Sequence, residues 1–202
     1  MLLFQSKIQE PIFVETVKEV SNRLSINPNW LMLVMYFESG LRPSAVNSST
    51  GATGLIQFMP ATAAGLGTST AALKNMSATA QLYYVERYLK PFAGKLNSFT
   101  DLYFAVFFPA ALGINRTGIL KTQSLKASTI ARQNPVFDTN KNGEIKKNEI
   151  IVFFNAYIKK IVPTEYQSKF KSKPMKHLGT IQAALLVIVA VIAVLLAVRQ
   201  YN

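Results

Sequence analysis

The sequence predicts a mainly α-helical domain followed by one C-terminal transmembrane helix. Two observations carry that prediction. Apolar residues recur at three- and four-residue steps through the first half of the chain, with no alternating strand pattern of useful length. An uninterrupted apolar run then lies close to the end. The chain has 202 residues, enough for one domain of ordinary size plus a tail.

Phe13, Val14, Val17, Val20 and Leu24 mark an amphipathic helix. Asn27 and Pro28 then restart the chain, as a cap and a first helical position. The helix expected over 28–39 is apolar on every side from Trp30 to Phe37, which places it in the middle of a domain. Gly40 is its natural stop. Residues 40–56 are rich in Gly, Ser, Asn, Thr and Pro and read as a loop or short hairpin. Further helices are expected from Pro60 to Leu66, from Ser77 or Thr79 to Leu89, and from Leu102 to Phe108.

Between Leu178 and Val198 there is no charged residue, and every residue from Ala183 to Val198 is Ala, Leu, Val or Ile. A helix of that length spans about 30 Å, the thickness of a bilayer's hydrocarbon core. A buried core helix is the competing reading, but the run is apolar on all faces. The first residues lack the long apolar stretch of a signal peptide. Lys169, Lys171, Lys173, Lys176 and His177 precede the run and only Arg199 follows it, so the positive-inside rule puts the domain on the cytoplasmic side. The expected organisation is a helical domain over 1–161, a basic linker over 162–177 and a span over 178–198. The expected location is a membrane, held by a single-pass C-terminal anchor.

The absence of cysteine excludes disulfides and thiolate metal sites. The net charge of +12 invites a nucleic-acid reading. The lysines are spread along the chain without a recognisable nucleic-acid motif, so no nucleic-acid partner is expected. A basic flank beside an apolar span is more simply a contact with anionic lipid headgroups.

Glu38 is the only acidic residue between Glu19 and Glu86, and it ends the most hydrophobic segment of the domain. A carboxyl group there loses solvation in its charged form, which raises its pKa. A raised pKa keeps a proton available near neutral pH, as a general acid requires. No second acid lies near in sequence, which suits a reaction whose substrate supplies its own nucleophile. On position alone, a glutamate turned toward solvent is an equal reading.

The neighbouring residues change that balance. Glu38-Ser39-Gly40-Leu41-Arg42-Pro43-Ser44-Ala45-Val46-Asn47, followed by Gly51-Ala52-Thr53-Gly54-Leu55-Ile56-Gln57-Phe58-Met59-Pro60-Ala61-Thr62-Ala63, resembles the core motif of the soluble lytic transglycosylases, which share the goose-type lysozyme fold. The resemblance implies a lysozyme-like helical domain and a peptidoglycan glycan strand as substrate. It implies that Glu38 protonates the glycosidic oxygen between N-acetylmuramic acid and N-acetylglucosamine. The same residue then takes the proton of the muramic C6 hydroxyl as a 1,6-anhydro ring closes. Ser39 is expected to orient the carboxylate and Gln57 to meet sugar hydroxyls or the acetamido group, although an amide that only ties loop to helix is also open. Gly51 and Gly54 allow a tight turn.

Members of that family usually carry Ala-Tyr-Asn-Ala-Gly on a later helix. Here the corresponding stretch is Ala105-Val106-Phe107-Phe108-Pro109-Ala110-Ala111-Leu112-Gly113, and the polar pair is absent. Residues 84–92 and 101–106 are closer to a branch found in bacteriophage and prophage wall-degrading proteins. Tyr103 is the expected substitute for the missing hydroxyl, with a core position as its other reading.

Asp138 to Glu149 fits the 12-residue EF-hand loop. Asp138, Asn140, Asn142, Glu144 (through its carbonyl) and Glu149 are the expected ligands. Calcium is the expected ion, in a structural role. Only two clear acidic ligands and three lysines make the affinity modest, and a loop that holds its shape without metal is the other reading. The expected function is therefore a wall-cutting enzyme carried in the virion membrane of a phage and used during entry, alongside other virion proteins. A catalytically silent wall-binding or structural protein of the same fold is the alternative.

Overall fold

Helix ends in this chain are set by short polar signals, and the computed structural model, which describes residues 1–171, shows them in use. Helix α1 (Phe13–Arg23) buries Phe13, Val17 and Val20 on one stripe. Helix α2 (Pro28–Ser39) starts where the Asn27 side chain accepts from the Asn29 amide at 2.9 Å. It ends at Gly40 (φ 65°), whose amide reaches the Tyr36 carbonyl while that of Leu41 reaches Met35. That left-handed cap closes the helix one residue after Ser39. Residues Trp30 to Met35 are all buried, so α2 is the central rod.

Around it stand α3 (Pro60–Gly65), α4 (Thr70–Lys74), α5 (Ala78–Leu89), α6 (Phe99–Phe107), α7 (Ala127–Gln133), α8 (Lys147–Ile161) and α9 (Thr164–Gln167). Ser69, Ser77 and Ser98 cap α4, α5 and α6 through their side chains. The Glu10 carboxylate adds to the α5 start by accepting from the Ala78 and Thr79 amides at 2.8 Å each, a favourable place for an anion. Among the described residues β structure is limited to isolated bridges: Val46 with Thr53, Thr53 with Phe58, and Ile119 with Lys146.

Helices α1 and α6 pack on α2, and α5 packs on α1. The far side of α2 is closed by an aromatic cluster. Phe37 lies 4.9 Å from Phe154 and 5.6 Å from Tyr103, ring centre to ring centre, and Tyr103 lies 4.3 Å from Phe154. Phe137, just before the EF-hand-like loop, stacks on Phe37 at 6.4 Å. Such pairs add to the burial of large apolar surfaces.

The compact unit continues to Lys171, ten residues past the expected domain end at 161. Val162 is buried, the Lys169 carbonyl accepts from Trp30 Nε1 at 2.7 Å, and Phe170 meets Phe99 at 5.6 Å. The first part of the expected linker therefore belongs to the helical unit.

The expected C-terminal transmembrane helix and membrane anchor need correction. No helix among the described residues is long and apolar enough to cross a membrane. The longest, α8, has 15 residues, reaches only about 22 Å and carries Lys159 and Lys160. The two most apolar, α6 and α2, have only 9 and 12 residues. The stretch 178–198 itself lies outside the described residues.

Candidate active site

Glu38 lies in the last turn of α2, where the rod emerges from the core. Its side chain is part-exposed, yet burial alone pushes its carboxyl up to about 7. Glu19 and Glu86 both face Arg23, at 3.7 and 2.7 Å, so each neighbouring acid in the sequence is engaged elsewhere.

The loop after α2 folds back along the site. Gly54 sits at φ 88°, and a Cβ there would stand 2.5 Å from Gln81 Oε1, so only glycine fits. Gln81 is fully buried on α5. Its oxygen accepts from the Leu55 amide at 2.8 Å, and its nitrogen donates to the Pro43 and Leu73 carbonyls at 2.7 Å each. One amide thus fixes the loop at two points and ties it to α4.

Ser39 is buried, and its hydroxyl meets the carbonyls of Met35 at 2.9 Å and Leu55 at 3.0 Å. Its single proton is taken by the backbone, so it fastens the loop to the helix end rather than donating to the carboxylate. Gln57 adopts φ 54°, an uncommon conformation for a non-glycine residue. Its side-chain nitrogen donates to Gly54 at 3.1 Å and Ala45 at 3.3 Å. Both amide hydrogens are therefore used, and its oxygen remains as an acceptor.

Tyr103 is only 2% exposed, with its ring packed in the aromatic cluster. Burial first, and the charge of Glu38 second, push its hydroxyl well above its ordinary value. Tyr88 on α5 feels the same two influences in the same order. Its hydroxyl donates to the Ala105 carbonyl on α6 at 2.8 Å. With Ile56, Gln57, Phe58, Met59, Thr62 and Val106 it lines a cavity of about 40 Å³. Glu38, Tyr103, Tyr88 and Gln57 are thus drawn to one end of α2. Sequence reasoning missed Gln81 and Tyr88. The available signal was their seven-residue spacing, which puts both on one face of α5.

The five expected calcium ligands are at a distance in sequence and form their own loop. Asp138 accepts from the amides of Asn142 at 3.1 Å and Gly143 at 2.9 Å. Glu149 reaches back to Asn140 Nδ2 at 3.1 Å and to the Lys146 amide at 2.9 Å. Gly143 (φ 80°) makes the sharp turn, and Leu120 pairs with the Ile145 carbonyl at 2.8 Å. The donor set of two carboxylates, two amides and a carbonyl is all oxygen, which fits a hard cation such as calcium. No group of three or more His, Cys, Asp or Glu residues able to hold a metal occurs among the described residues.

A desolvated carboxyl at the end of a buried helix, whose charge reaches the Tyr88 and Tyr103 hydroxyls, is able to hold and release a proton near neutral pH. The family match is more specific. Residues 15–104 match the family model for the transglycosylase SLT domain. The match covers α1 through most of α6, with Glu38, Ser39, Gln57, Tyr88 and Tyr103, and stops before the 138–149 loop. No curated protein and no solved structure matches the chain.

Proposed function

We propose that the chain is a peptidoglycan lytic transglycosylase in which Glu38 is both acid and base. The observation that supports this best is the desolvated Glu38 carboxyl, held near 7 inside the segment that matches the SLT domain. At neutral pH a large fraction is protonated and can donate to the glycosidic oxygen between N-acetylmuramic acid and N-acetylglucosamine as that bond breaks. The resulting carboxylate takes the proton of the muramic C6 hydroxyl, whose oxygen closes on the anomeric carbon. The proton gained restores the acid. No second carboxylate is required, in keeping with the pairing of Glu19 and Glu86 with Arg23.

Ser39 acts by holding the helix end against the Leu55 loop, Gln57 offers its oxygen to a sugar donor, and the Tyr103 hydroxyl borders the carboxyl from the core side. Asp138, Asn140, Asn142, the Glu144 carbonyl and Glu149 would hold a calcium ion, which would fix the entry to α8 and take no part in the chemistry. Use during phage entry belongs to the same proposal and rests on the phage-like character of residues 84–92 and 101–106. Its test is whether purified particles contain the protein.

Digestion of purified peptidoglycan decides the activity. Anhydro-muropeptides from the native protein, and none from Glu38→Gln, are the expected result. Reducing-end muramic acid instead would make it a hydrolase. Equal inactivity of native and variant protein would favour the alternative, a silent wall-binding protein.

A further inference from the structure

The stretch 105–113 lacks polar side chains where the resembling family has a tyrosine and an asparagine. The structure supplies a hydroxyl at that place from another helix. Tyr88 crosses from α5 to the backbone of α6, with its oxygen 2.8 Å from the Ala105 carbonyl. A phenol has one proton, and here it is committed to that carbonyl. What Tyr88 has left is an acceptor, on a side chain that is part-exposed and lines the 40 Å³ cavity.

Gln57, in the same lining, is in the same condition, with both amide hydrogens donated to loop carbonyls. Ile56, Phe58, Met59 and Val106 make most of the remaining wall. A cavity of that size, lined by two acceptors, the Thr62 hydroxyl and apolar side chains, suits a small group having an N–H beside a methyl. The acetamido group of an amino sugar is such a group.

We propose that Tyr88 is a substrate-contacting residue, whose oxygen accepts the acetamido N–H of the sugar bound next to Glu38. The proposal rests on the glycan-cleaving reading above and adds to it the residue that selects the N-acetylated sugar. Tyr88 does not titrate in this role, since burial holds its hydroxyl neutral.

The test uses the full chain carrying Glu38→Gln, so that binding is read without turnover, and an N-acetylglucosamine oligomer as probe. Adding Tyr88→Phe should weaken the oligomer about 10-fold in calorimetry, the loss of one hydrogen bond. Unchanged affinity overturns the proposal, and so does failure of the Tyr88-containing protein to bind the oligomer. If Tyr88→Phe misfolds, 3-fluorotyrosine placed at position 88 serves instead. Its fluorine resonance should move on adding the oligomer, and a fixed resonance also overturns the proposal. In the protein with Glu38 intact, Tyr88→Phe should raise KM more than it lowers kcat. Absence of anhydro-muropeptides from the native enzyme would sink the cleavage reading alone, because the binding measurements do not depend on turnover.

Discussion

Glu38 illustrates how a desolvated carboxyl can work against the fold that holds it. In the unfolded chain its carboxyl ionises near 4.5, and in the folded protein near 7. Between those values the folded state binds more protons than the unfolded state, so the contribution of Glu38 to stability falls as pH rises through that window and is lowest above 7. The cost is on the order of 3 kcal/mol at most. Glu38→Gln should therefore unfold at a higher temperature than the native protein at pH 8, and at nearly the same temperature at pH 4. A calorimetric scan at both pH values checks this, and equal melting at pH 8 would show that the carboxyl is solvated. On the proposed function the same substitution should abolish wall cleavage, and native activity should decline above pH 7 as the acid form disappears.

The helices show which parts of the arrangement the sequence discloses. Asn27-Pro28 and Gly40 are local signals, and α2 begins and ends where they place it. The burial of Trp30 to Met35 likewise follows from a segment with no polar face. The partners of Gln81 and Tyr88 are not local. Gln81 meets Pro43 and Leu55, and Tyr88 meets Ala105, so neither role exists until α5 is packed. Ser39 was legible as a residue of the site but not in its bonding, because the Leu55 carbonyl reaches it only through the loop. Two further non-local bonds secure the segment that follows α6. Lys147 at the start of α8 donates to the Ala111 and Ile114 carbonyls at 2.9 Å each and lies 5.2 Å from the Phe104 ring. Lys147→Met would leave both carbonyls short of a donor, and urea unfolding should show a loss of about 2 kcal/mol. A smaller loss would mean that water replaces the ammonium.

At the scale of the whole molecule, the 138–149 loop and α2 share one aromatic cluster through Phe137 and Phe37. An ion held in the loop would bind only the folded state and so raise its stability. With calcium at ten times its Kd the gain is about 1.4 kcal/mol, or about 3–5 °C in Tm for a unit of this size. Melting with calcium and with chelator measures it, and identical curves would mean that the loop keeps its shape unaided. The SLT match ends before this loop, so the loop and α8 lie beyond the segment the family describes.

The bond from Trp30 to the Lys169 carbonyl joins the start of α2 to the last described turn, at the end of that helix opposite Glu38. Trp30 is also the single tryptophan of the chain. Its emission is therefore a built-in optical gauge of one event, the docking of residues 168–170. Removing that segment should expose the indole to water and shift its fluorescence to the red. Binding of a glycan oligomer near Glu38 should leave its colour unchanged, so one lamp can follow the tail while a second assay follows the proposed active site.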